Sequence, residues 1–167
     1  MDYLVNALMH STWEAAQDRL DSCRPGPELR RVVRAGLCED SGRIYLSAYA
    51  SRRKEAAAGM DRWSAERWVN DVHLESALPA SDPGWRTDVL SQAVNFVREI
   101  LPGFAALASG AAQAVVGLQS APSHENPDSD VPVGSVHLYQ LDNPGDDARA
   151  EIESFAQPLL VVTFTSS

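Results

Sequence analysis

DVLSQAVNFVREILPGFAAL, residues 88–107, is the stretch on which the fold turns. Val89, Ala93, Phe96, Val97, Ile100, Phe104 and Leu107 recur at helical spacing and trace a broad apolar stripe, opposed by Asp88, Ser91, Gln92, Asn95 and Arg98. The pattern predicts one long amphipathic helix with a face to bury. Pro102 and Gly103 are expected to end or kink it, because proline removes a helical donor and crowds the preceding turn. Asp82 and Pro83 supply its start signal.

Beyond this helix the apolar period falls to two. Val115 to Leu118 reads as a short buried strand, Val136 to Leu141 as an alternating one, and Leu159 to Phe164 as a strand buried on both faces. The connections between Leu118 and Leu159 are short, which favours antiparallel neighbours over parallel crossovers. Residues 120–134 form a long acidic loop without apolar periodicity, a type of segment that is usually functional or disordered. The cluster at residues 142–145 turns the chain, and Asp146 and Asp147 suit the positive end of a last short helix.

Upstream, Trp68, Asn70, Val72 and Leu74 alternate with Val69, Asp71, His73 and Glu75, which predicts a strand. Residues 28–49 admit two readings, a short helix opened by Pro27 or a hairpin around the turn at residues 39–42. The alternation favours the hairpin, with Tyr45, Ser47 and Tyr49 lining its second face. Leu4, Leu8, Thr12, Trp13, Ala16 and Leu20 predict an N-terminal helix capped by Asp2 and stopped by Pro25 and Pro27. The sum is a single α+β domain over residues 1–167: a mostly antiparallel sheet of about six strands, a long helix packed across it and an N-terminal helix.

Charge is distributed unevenly. From Glu99 to Ser167 nine acids face one base, Arg149, so this segment carries −8 of the chain's −9, whereas residues 24–67 hold ten bases against six acids. Such a field bears on partners and association rates. No basic region precedes an apolar run near the start, and no apolar run is long enough to span a bilayer, so the expectation is a cytoplasmic protein that engages no membrane. Cys23 and Cys38 stand alone and are expected as reduced thiols. Arg52, Arg53 and Lys54 are read as a solvated loop, and nucleic acid is not an expected partner.

No nucleophile elbow or phosphate loop is present, and the histidines at 10, 73, 124 and 137 have no metal-ligand spacing, so no metal or cofactor is expected. His124, His137 and Tyr139 read singly as structural or solvated positions. The best constellation for chemistry is Asp71, His73 and Glu75, which would stand in a row on one strand face and could move a proton, although the wet face of any half-exposed strand looks the same. Trp63 and Trp68, interleaved with Arg62 and Arg67, read as core tryptophans or as a binding hot spot.

These features favour a non-enzymatic protein-binding domain of the bacterial immunity or antitoxin type, neutralising a basic toxin or nuclease. Glu125, Asp128, Asp130, Asp142, Asp146 and Asp147 are its expected contacts. The alternatives are a secretion chaperone that binds an effector segment, and a small hydrolase or transferase that uses Asp71, His73 and Glu75.

Overall fold

The computed structural model describes residues 1–75, 81–108, 110–122, 130–141 and 147–165. Its centre is the predicted helix, here α5 (Trp85–Ala108), which runs on through Pro102 instead of ending there. Leu101, Phe104 and Ala105 flank that proline and are fully buried, so packing holds the helix past its breaker. Val89, Ala93, Phe96, Val97, Ile100 and Phe104 are buried as the stripe requires, at roughly 1.5–3 kcal/mol for each large side chain. Leu107 departs from the stripe and is 44% exposed.

The polar side of α5 is also engaged. Asn95 Nδ2 donates to the carbonyls of Leu20 (2.9 Å) and Cys23 (2.8 Å), and Gln92 Oε1 accepts from Gly26 N at 3.1 Å. These bonds pin the connection between α1 (His10–Gln17) and α2 (Pro27–Ala35) onto the long helix.

Five strands, in the order β1 (Asp2–Val5), β7 (Leu159–Thr165), β5 (Ala111–Pro122), β6 (Asp130–Leu141) and β4 (Val72–Glu75), form an antiparallel sheet. A separate antiparallel hairpin joins β2 (Leu37–Asp40) to β3 (Arg43–Leu46), making seven strands where about six were expected. Alternation sorts the sheet's two faces. Ala112, Ala114, Val116, Leu118, Val136, Leu138, Leu160 and Val162 pack with α5, while Val115, Tyr139, Leu159 and Val161 point to the other side. β7 is buried on both faces, as its apolar run predicts.

Several elements differ from expectation. The N terminus is a strand before it is a helix, because residues 2–5 pair with residues 160–163 of β7. Asn6 then receives the chain: its Oδ1 accepts from Met9 N (3.1 Å) and Leu159 N (3.0 Å). Residues 27–46 contain both readings in series, since α2 stops at Gly36 (φ 72°) and the hairpin begins at Leu37. The hairpin turns through Ser41 and Gly42, both at positive φ, the pairing a two-residue turn of matching twist needs. Tyr49 is not on a strand, because β3 ends at Leu46 and α3 (Ser47–Arg53) follows.

The predicted strand at Trp68 is the end of a helix, α4 (Arg62–Val69), and only Val72–Glu75 is extended. Asp61 caps α4 by accepting from Ser64 N at 2.9 Å. Glu66 and Asn70, one turn apart, then take over work that a neighbouring strand would do. Glu66 accepts from Ile44 N (2.8 Å) and Gln140 N (2.7 Å); Asn70 accepts from Leu46 N (2.8 Å) and donates to Ile44 O (2.9 Å) and Leu138 O (3.1 Å). The edge of β6 beyond the end of β4 is thereby satisfied by side chains, and β3 is tied to the main sheet through them. β5 and β6 extend well past their predicted ends, which reduces the expected loop at 120–134 to the connection between Pro122 and Asp130.

Candidate functional site

The face of the sheet away from α5 is only partly covered. Trp63 of α4 and a 3-10 helix, Ala148–Ser154, lie over it and leave a cavity of about 320 Å³ floored by Val115, Gly117, Leu159, Ser135, His137 and Tyr139. Gln113 supports one wall from behind. Its Oε1 accepts from Tyr139 Oη (2.7 Å) and Ala148 N (2.9 Å), while its Nε2 donates to Asp147 Oδ1 (2.8 Å) and Thr163 Oγ1 (3.1 Å), so this buried amide fixes where the 3-10 helix starts. Asn6 supports another by donating to the backbone of the lining residue Gln157, at 2.8 Å from its carbonyl oxygen. The Gln157 side chain and the Ser135 hydroxyl converge above Gly117, each 3.3 Å from where a Cβ would stand. Glycine at that point keeps the floor open.

His137 is the titratable imidazole of this floor. Its Nδ1 lies 3.5 Å from Arg67 O and 3.6 Å from Asp71 Oδ1, a buried carboxylate oxygen that makes no hydrogen bond. Both neighbours are acceptors, which favours the neutral tautomer with its hydrogen on Nδ1 and its lone pair on Nε2. Burial pushes His137 below the ordinary histidine value; the Asp71 charge opposes this and the Arg67 charge adds to it. Asp71 is shared, since its Oδ2 also lies 3.1 Å from Nε2 of the exposed His73.

Arg67 supplies the cavity's cation. Its guanidinium lies 4.4 Å from the centroid of the Trp63 ring, and among the described residues no carboxylate comes within salt-bridge distance of it. Two carboxylates also line the cavity. Asp147 is held down to about 2, chiefly by the Arg149 side chain that donates to it, so its charge is already answered. Glu151 is exposed at the rim. Trp63 stands edge-on to Tyr139 at 5.8 Å, and Phe155 completes the apolar side.

The residues singled out in the sequence are redistributed. Asp71 and His73 do pair, but Asp71 precedes β4, and the structure sets His137 of β6 beside Asp71. Glu75 is placed by its backbone at the end of β4, opposite Val133. Trp63 lines the cavity, whereas Trp68 is 53% exposed on a shallow groove shared with Met60, Arg67 and His137. Among the six expected acidic contacts, Glu125, Asp128, Asp142 and Asp146 lie outside the described residues, as does His124. Asp130 opens β6 opposite Pro122, and Asp147 is bonded to Gln113. Positions 113 and 122 are nine residues apart on β5, roughly 30 Å at about 3.3 Å per residue, so Asp130 and Asp147 belong to opposite ends of the hairpin.

Among the described residues no group of three His, Cys, Asp or Glu side chains is arranged to hold a metal ion, and no helix is long and apolar enough to cross a membrane. No protein-family model, curated protein or solved structure matches the chain.

Proposed function

We propose that this protein binds a small amphipathic anion, a carboxylate with an apolar body, in the cavity beneath Trp63 and the 3-10 helix. The observation that carries the reading is Arg67, a guanidinium without a carboxylate partner among the described residues, on a cavity whose two carboxylates are Asp147, already bonded to Arg149, and the exposed Glu151 at the rim. Guanidinium groups bind carboxylates through paired donors, and a partly dry setting strengthens the pairing. Ser135 and Gln157 add neutral donors near the floor, and Val115, Leu159 and Phe155 receive the apolar body. A cavity of about 320 Å³ suits a ligand the size of phenylacetate.

The inhibitor reading rests on charge balance; of its six expected contacts only Asp130 and Asp147 lie among the described residues, and these two stand near opposite ends of the β5–β6 hairpin. Calorimetric titration with phenylacetate and with 2-phenylethylammonium, which share a ring but differ in charge, tests the proposal. Binding of the anion alone supports it; preference for the cation, or no binding of either, overturns it.

A further inference from the structure

We infer that the cavity also hydrolyses carboxylic esters whose acid half is apolar, with His137 Nε2 as the general base for the attacking water. This rests on the anion-binding reading above, because the carboxylate bound there is the product such a hydrolysis releases. Three arrangements carry the step. The Nδ1 edge of His137 is turned to two acceptors, Arg67 O and Asp71 Oδ1, which favours a hydrogen on Nδ1 and leaves Nε2 as the acceptor. Arg67 and His137 line the same cavity, so the guanidinium can face the oxygen on which negative charge gathers as the ester carbonyl becomes tetrahedral. Gly117 leaves room above the floor where the Ser135 hydroxyl and the Gln157 amide converge.

In the reaction, the water oxygen bonds to the carbonyl carbon while one of its protons passes to His137 Nε2. The tetrahedral species then expels the alcohol oxygen, breaking the acyl C–O bond, and the alkoxide takes that proton back. The acid's own proton is lost to solvent, leaving a carboxylate against Arg67. No electron donor or acceptor is needed.

The groups that set the charge state of His137 are Asp71 just ahead of β4, His73 on β4 and Arg67 on α4, with Asp147 and Glu151 on the facing wall and Tyr139 beside it on β6. Burial keeps the imidazole in its basic form at neutral pH.

The test uses the full chain and 4-nitrophenyl phenylacetate, whose hydrolysis yields phenylacetate and coloured 4-nitrophenolate. Expected is saturable turnover above the buffer rate, inhibited competitively by phenylacetate. Its kcat/KM should fall at acid pH with an apparent pKa below the ordinary histidine value of about 6.5. His137→Gln should lower kcat/KM by about 10²- to 10⁴-fold while changing phenylacetate affinity little. Phenylacetate binding without turnover overturns the hydrolytic inference and leaves the binding reading standing; absence of binding removes both. Turnover that His137→Gln leaves unchanged also overturns the inference. Should that variant fail to fold, a flat acid limb in the unaltered protein does the same.

Discussion

Asp71 stands one residue ahead of the Val72–Val136 pair, and its Oδ1 lies 3.6 Å from Nδ1 of His137 while its Oδ2 lies 3.1 Å from Nε2 of His73. One carboxylate thus lies beside two imidazoles of different exposure, and the half-buried one belongs to the cavity. Asp71 draws the His137 value upward against burial, so Asp71→Asn should move it further down. Ring-resonance titration by NMR measures this directly, and an upward movement would show that the pairing is misassigned.

Glu66 joins α4 to β3 and β6 by accepting backbone hydrogen bonds from Ile44 and Gln140. Glu66→Gln turns an amide donor toward one of these donors and should cost about 1–3 kcal/mol in urea unfolding. Burial raises the folded-state value of Glu66, so its stabilising contribution is complete below the unfolded value of about 4.3 and is lost as pH rises through the folded value. Over that window the unaltered protein should lose stability relative to Glu66→Gln; a gain would contradict the assignment.

The two sheet glycines should respond differently to alanine. A Cβ at Gly134 collides with Val89 Cγ1 of α5 in the core, which predicts destabilisation of about 1–3 kcal/mol. At Gly117 the nearest groups are Ser135 Oγ and Gln157 Nε2 at 3.3 Å and Leu159 Cδ2 at 3.4 Å, on the cavity floor. Gly117→Ala should therefore weaken phenylacetate binding more than it changes the midpoint of thermal unfolding. Equal unfolding losses for the two variants would count against an open floor at Gly117.

Much of this fold is legible in the sequence, and the failures share a cause. The stripe from Val89 to Phe104 and the apolar run from Leu159 are local patterns, and both elements stand where the patterns place them. Residues 2–5 resemble a helix start until β7 offers them a pairing edge, and residues 68–69 alternate like a strand although Asp61 and Ser64 have already opened a helix. In each case a long-range partner or a cap outweighed a short period. The candidate site follows the same rule. Ser135, His137 and Tyr139 share a strand face by simple alternation, and Arg67 and Trp63 were visible as a hot-spot segment. What joins them is the register of β4, β5 and β6 and the path of α4, which no spacing within one segment encodes.

Asp147 provides an acid-range check on the cavity wall. A carboxyl held at about 2 in the folded chain adds stability that is complete above its unfolded value of about 3.9 and disappears as pH falls through the folded one. Asp147→Asn should therefore flatten the loss of stability between about pH 4 and pH 2, followed by circular dichroism in urea. An unchanged acid profile would mean that the contact with Arg149 does not hold in solution.

Arg67 is the centre of the account, and the affinity of phenylacetate for the unaltered protein and for Arg67→Gln tests it most directly. Charge-assisted hydrogen bonds contribute about 1.5–3 kcal/mol, so the substitution should weaken binding by about 10- to 150-fold while the far-ultraviolet spectrum stays the same. Equal affinity in the two proteins would contradict the claim that this guanidinium holds the anion.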